Sequence, residues 1–111
     1  MIQISQQGNV KIGKFDTPSR LTLLISEDVK AELKPVLSDD KTNLIFNLEN
    51  VDFIDSSGIG CLISLQNTAA QHNSRIAICN ISKSNMKIFD LLHLDKILEL
   101  YPTLDEALKK F

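Results

Sequence analysis

Ile2 and Ile4, then Val10 and Ile12, alternate with polar neighbours, and Gly8-Asn9 lies between the two pairs. A period of two on either side of a glycine-containing turn predicts two half-buried strands joined as a hairpin. After Gly13 the pattern admits two starts for a first helix. Thr17-Pro18 offers an N-cap with proline at the first helical position. Ser26 with Glu27 and Asp28 offers a later start with acidic residues in the first turn. From either start, VKAELKPVL (29–37) puts Val29, Leu33 and Val36 or Leu37 on one face, and Pro35 kinks or shortens its end.

NLIFNL (43–48) is a short apolar run suited to a central strand covered on both faces. From Ser57 to about His72, Ile59, Leu62, Ile63, Leu65 and Ala69 recur at helical spacing, with Gln66, Asn67 and Gln71 turned outward. RIAICNI (75–81) reads as a further buried strand, and Ser82 as the cap of a helix through Met86, Phe89 and Leu92. KILELY (96–101) follows as a last strand. Thr103 to Glu106 has the spacing of a capping box opening a short terminal helix. The order is β-β-α-β-α-β-α-β-α. That is an α/β pattern, with a sheet at least partly parallel and helices packed on it.

Composition narrows the class. With 43% apolar and 23% charged residues over 111 positions, the chain is expected to fold as one soluble domain. A net charge of −2 with scattered Lys and Arg argues against nucleic acid and against an anionic membrane surface. The opening MIQISQQGNVK lacks the basic and apolar regions of a secretory signal, and no apolar run approaches the ~18 residues of a membrane span. The expected location is the cytosol. Cys61 and Cys79 lack CxxC spacing and are expected to be small core residues.

The chemistry concentrates in VDFIDSSGIG (51–60), where an apolar run meets a carboxylate, two hydroxyls and two glycines just before a helix. Asp55 or Ser56 suits the cap of that helix, whose first N–H groups lack partners. Capping alone does not account for Gly58 and Gly60, each costing ~1 kcal/mol relative to alanine. Glycines there permit close approach of another backbone, which suggests an exposed contact surface. A serine nucleophile needs a base, and the G-x-S-x-G elbow is absent. His72 lies roughly 20 Å away along the same helix, and His93 ends another. Phosphate-cradling glycine motifs are absent too. A third reading makes the serine a substrate, exposed for a kinase.

The segment NLENVDFIDSSGIG (47–60) closely resembles the signature of the STAS-domain anti-sigma factor antagonists: an acidic residue, a phosphorylatable serine, Ser or Thr, then G-[LI]-G. VKIGKFD (10–16) resembles the family's strand ending in G-x-[LF]-D, and 81–108 resembles its closing helix, strand and helix. Between 17 and 30, TPSRLTLLISED departs from the usual run into the first helix. The resemblance implies a single STAS-type domain over 1–111, with a mixed, mostly parallel sheet of about five strands and about four helices. It implies a binding module without an active site or cofactor. Its unphosphorylated form would bind a serine-kinase anti-sigma factor and free the sigma factor, and a metal-dependent serine phosphatase would reset it. By position Ser56 is the implied phosphoacceptor and Ser57 its neighbour. Asp16 and Asp55 would flank the docking surface, which Gly58 and Gly60 would shape. Relatives in other assemblies, such as a bacterial lipid-transport ATPase complex, share the fold and the helix-start contact without phosphorylation. An enzyme using Ser56 directly is the remaining alternative.

Overall fold

The computed structural model describes residues 1–111. Strands β1 (Ile2–Gln7) and β2 (Val10–Phe15) form the expected hairpin, turning at Gly8, whose φ of +60° belongs to the left-handed region. Next come β3 (Ser19–Leu21), α1 (Leu23–Leu37), β4 (Asn43–Asn47), β5 (Val51–Ile54) and α2 (Ser56–Gln71). The chain continues through β6 (Arg75–Cys79), α3 (Lys83–Leu91), a 3-10 turn (Leu94–Lys96), β7 (Glu99–Tyr101) and α4 (Leu104–Leu108). The main sheet runs β1-β2-β4-β6-β7; only the β1–β2 pair is antiparallel.

Two short strands, β3 and β5, form a separate parallel pair that the periodicity does not reveal. With three and four residues they are too short to show a repeat, and their pairing joins residues more than 30 apart. The region 43–54 therefore holds two strands rather than one. Both expected starts of the first helix are displaced as well. Helix α1 begins at Leu23 after Thr22, whose side chain caps nothing, while Ser26 is buried inside the helix. The end is as expected, because α1 stops two residues beyond Pro35.

Strand β4 occupies the middle of the sheet, and its alternating side chains reach both faces. Leu44 and Phe46 join a core of 20 buried residues that includes Val29 and Leu33 of α1, Leu62 and Leu65 of α2, and Phe89 of α3. Ile45 faces the other way, into a cluster of five buried residues with Val10, Ala77, Cys79 and Ala107 of α4. One face thus carries most of the apolar burial, and the small second cluster depends on α4 staying in place. No helix is long and apolar enough to cross a membrane.

A clasp holds that end. Arg75 donates from Nε to Glu99 Oε1 at 3.0 Å, pairs through Nη2 with Glu99 Oε2, and donates from Nη1 to the Lys110 carbonyl at 2.8 Å. Its guanidinium also stacks on Phe111, 3.8 Å from the ring centroid. Tyr101 donates its hydroxyl to Glu99 Oε2 at 2.6 Å. Partial burial pushes the Glu99 carboxyl up, but the hydrogen bonds from Arg75 and Tyr101 and the Arg75 charge outweigh it, so its pKa falls below the ordinary value. A depressed carboxylate stabilises the fold above its unfolded pKa and loses that contribution as pH drops through the folded pKa. The Tm advantage of the wild type over Glu99→Gln should therefore be full at pH 7, begin to shrink near the unfolded carboxyl value of about 4.3, and be lost as pH falls through the lower folded pKa. Thermal unfolding across that range checks this, and an advantage that persists at acid pH contradicts it.

Candidate functional site

The turn from β5 into α2 is organised by Asp55. Its backbone is extended (φ −94°, ψ −176°), as an N-cap requires, and its Oδ1 accepts from the Gly58 N–H at 2.8 Å. Its Oδ2 accepts from the Leu23 N–H of α1 at 3.1 Å. One carboxylate thus satisfies an orphan donor on each of two helices, which explains how α1 starts without help from Thr22. The Asp55 N–H in turn donates to the Leu21 carbonyl at 3.2 Å, tying the turn to β3.

The two glycines separate in role. Gly58 is buried, and a Cβ there would lie 2.2 Å from the Leu21 carbonyl oxygen and 2.9 Å from Ile54 Cγ2. The backbone that approaches Gly58 is the chain's own β3, so this glycine contributes packing and no outer surface. Gly60 is exposed, and a Cβ there would meet nothing within 4 Å. It leaves room for another molecule.

Ser56, the first residue of α2, is exposed, and its hydroxyl makes no hydrogen bond within the chain. Ser57 beside it is half-buried. Neither serine meets a base: His72, at the far end of α2, pairs with Asp40 at 3.1 Å. Cys61, in the same helix, is buried, and burial pushes its pKa up to about 11, so it stays a neutral thiol near neutral pH. Burial pushes Cys79 up to about 12.

Asp16 lies apart from this turn. It follows β2, its N–H donates to the Met1 carbonyl at 3.1 Å, and its carboxylate stands 3.6 Å from the N-terminal ammonium. The preceding residue, Phe15, accepts from Asn50 Nδ2 at 2.8 Å, which puts Asp16 beside the beginning of β5. Roughly 13 Å of strand rise separates that point from the Asp55 turn. The structure therefore unites Asp55, Ser56, Ser57 and Gly60, with Gly58 beneath them and Asp16 at the other end of the β3–β5 pair.

Sequence reasoning overlooks several neighbours. Leu23 and Leu24 open α1 with 69% and 88% of their surfaces exposed, and the Asp55 bridge holds them beside the start of α2. Phe53 is 40% exposed, and the Arg20 guanidinium lies 4.7 Å from its ring centroid. Three large apolar side chains are thus exposed on the two elements that adjoin the Ser56 turn. Behind them, buried Asn85 accepts from the Ile54 N–H at 3.2 Å and donates to Ser82 Oγ at 2.8 Å, pinning α3 to β5. A polar residue at a core position of α3 is its only sequence trace.

The STAS domain model matches residues 1–107. The chain belongs to the STAS domain family. Among curated STAS relatives, the anti-sigma-B factor antagonist of Staphylococcus aureus is 23% identical over 91 residues, 82% of this chain and 80% of that protein. The anti-sigma F factor antagonist of Paenibacillus polymyxa is 27% identical over 59 residues, and the match spans 53% of this chain but only half of that protein. In fold, the domain superimposes on an anti-sigma-factor antagonist (STAS) domain protein of Planctomyces limnophilus with a TM-score of 0.87 at 21% identity, covering 98% and 96% of the two chains. The phosphorylated form of the Bacillus cell fate determinant SpoIIAA gives a TM-score of 0.68 at 19% identity, covering 99% and 98%. These likenesses establish the STAS fold.

Within this STAS domain the two glycines should respond in opposite directions. Gly58→Ala forces a methyl into a backbone oxygen and should cost about 3 kcal/mol or more. Gly60→Ala should be neutral or stabilise by up to about 1 kcal/mol through helix propensity. Urea denaturation of both variants checks the pair; equal losses would mean that the β3 contact is not what requires glycine. Asp55→Ala should cost about 1–3 kcal/mol and lower hydrogen-exchange protection at Leu23 and Gly58 together. Loss at Gly58 alone would show that the bridge to α1 contributes nothing.

Proposed function

We propose that this STAS domain is a phosphorylation-switched anti-sigma factor antagonist. The observation that carries the reading is Ser56: an exposed, unpartnered hydroxyl on a helix start whose capping aspartate also holds α1, with exposed Leu23, Leu24 and Phe53 on the adjoining elements. Unphosphorylated, this surface docks on a serine-kinase anti-sigma factor in the cytoplasm and frees the sigma factor. The kinase phosphorylates Ser56 and the complex separates; a metal-dependent serine phosphatase restores the hydroxyl. Ser57, Gly60 and Asp55 belong to the same contact, and Asp16 forms its outer edge. The domain acts as a binding module and performs no catalysis of its own. The antagonist relatives support this role, and the SpoIIAA protein, solved in a phosphorylated form, supports the switch.

The physics of the switch lies at the interface. A phosphate adds about −1.5 to −2 charges. At the start of α2 it gains roughly 0.3–1 kcal/mol from the helix dipole, offset by repulsion from Asp55 and Asp52, so the fold hardly changes. Buried unpaired against a partner, the same charge costs several kcal/mol, and each 1.4 kcal/mol is tenfold in affinity. Calorimetric binding of the host's sigma-binding serine kinase to the unmodified and the phosphoserine-56 protein tests this. We expect at least about a hundredfold loss of affinity with a Tm change of no more than a few degrees. Equal binding of both forms, or association with a transport ATPase in place of the kinase, would overturn the reading.

A further inference from the structure

Arg20 lies on β3, the strand tied to the turn that carries Ser56. Its strand is fixed to the phosphoacceptor turn: the carbonyl of the next residue, Leu21, accepts from the Asp55 N–H at 3.2 Å and would lie 2.2 Å from a Cβ at Gly58. In the β3–β5 register Arg20 pairs with Phe53, three residues before Ser56, and an irregularity between Ser19 and Arg20 leaves Asp52 out of the pairing. Arg20 consequently faces an aromatic ring rather than that carboxylate. Its guanidinium sits 4.7 Å from the Phe53 centroid and is held by no carboxylate, unlike Lys14, Lys30 and Arg75, which pair with Glu49, Glu27 and Glu99. β5 ends at Ile54 and α2 begins at Ser56, so the Phe53 and Ser56 positions lie at most about 10 Å apart, within the combined span of an extended arginine and a phosphoserine reaching toward it.

We propose that phosphorylation of Ser56 draws Arg20 off Phe53 and onto the phosphate, so that the modification changes the shape of the docking face as well as its charge. The inference rests on Ser56 being the phosphoacceptor. A cation over an exposed ring is held weakly, whereas the guanidinium fork matches two phosphate oxygens and forms charge-assisted hydrogen bonds. The exchange is one-way in charge. The phosphate brings two negative oxygens next to Asp55, whose own oxygens are already committed to the Gly58 and Leu23 N–H groups. Arg20 is the paired-strand cation that can offset them. Its departure uncovers Phe53, the aromatic member of the contact surface. Lys83, at the start of α3, is the competing cation, but it lines a groove with Ile81, Met86 and Tyr101.

The test uses isotope-labelled protein with phosphoserine incorporated at position 56 during translation, which needs no kinase. In the serine form, Arg20 δ-methylene protons should be shifted upfield by the Phe53 ring, and Phe53→Leu should remove that shift. In the phosphoserine form they should return toward free-arginine values while the Arg20 Hε moves downfield. The phosphorus resonance should move in Arg20→Gln and stay in Lys83→Gln. Arg20 signals that do not change on phosphorylation, or a phosphorus resonance that follows Lys83 instead, would overturn the proposal. A protein that its host never phosphorylates would defeat the switch reading while leaving the Arg20 exchange standing as chemistry of the modified chain.

Discussion

The Asp55 carboxylate joins two helices that local sequence leaves incompletely capped. Each oxygen accepts one N–H, from Gly58 of α2 and from Leu23 of α1, 32 residues upstream. Helix starts need such acceptors because their first N–H groups have none within the helix. Once one side chain serves both, the two helices share an origin, and the β3–β5 pair between them is held by the Asp55–Leu21 hydrogen bond. The serine that follows Asp55 then stands on a mount with little freedom. For the proposed switch this matters, since a modification on a rigid mount would change the exposed surface rather than melt the mount.

Gly58 is the steric counterpart of that electrostatic joint. The carbonyl of Leu21 approaches so closely that no side chain fits, which lets β3 lie against the first turn of α2. Conformation is not the reason for glycine here, since the residue lies within a helix; space is. Gly60, one turn face away, carries no such constraint and is left open to the exterior. A pair that looks like one motif in the sequence therefore divides into an inner packing position and an outer, open one.

The surface on either side of the β5–α2 turn is mixed in character. Leu23, Leu24 and Phe53 supply apolar area, Arg20 a free cation beside it, and Asp52 and Asp55 negative charge close to Ser56. In the proposed switch, apolar area would favour association and an added phosphate charge would oppose it through desolvation. The remainder of the molecule supplies stiffness: a large core on one face of the sheet and, on the other, a small cluster secured by α4 and the Arg75–Glu99 clasp.

The four helices, the hairpin at Gly8-Asn9, the central strand buried on both faces, and the caps at Ser82 and Thr103 were legible in the sequence. Each depends on residues within one element or one turn, where periodicity of 2 or 3.6 and cap chemistry act directly. The cap in VDFIDSSGIG was legible for the same reason, because a carboxylate just before a helix start is a local pattern. The start of α1 was not: Thr17, Pro18 and Ser26 offered local caps, but the acceptor for its first N–H came from Asp55. Nor were β3 and β5, the burial of Gly58, the exposure of Leu23, Leu24 and Phe53, or the stacking of Arg20 on Phe53. Those features arise from contacts between residues some 30 positions apart, whose geometry no local window contains, and only the packed chain could decide them.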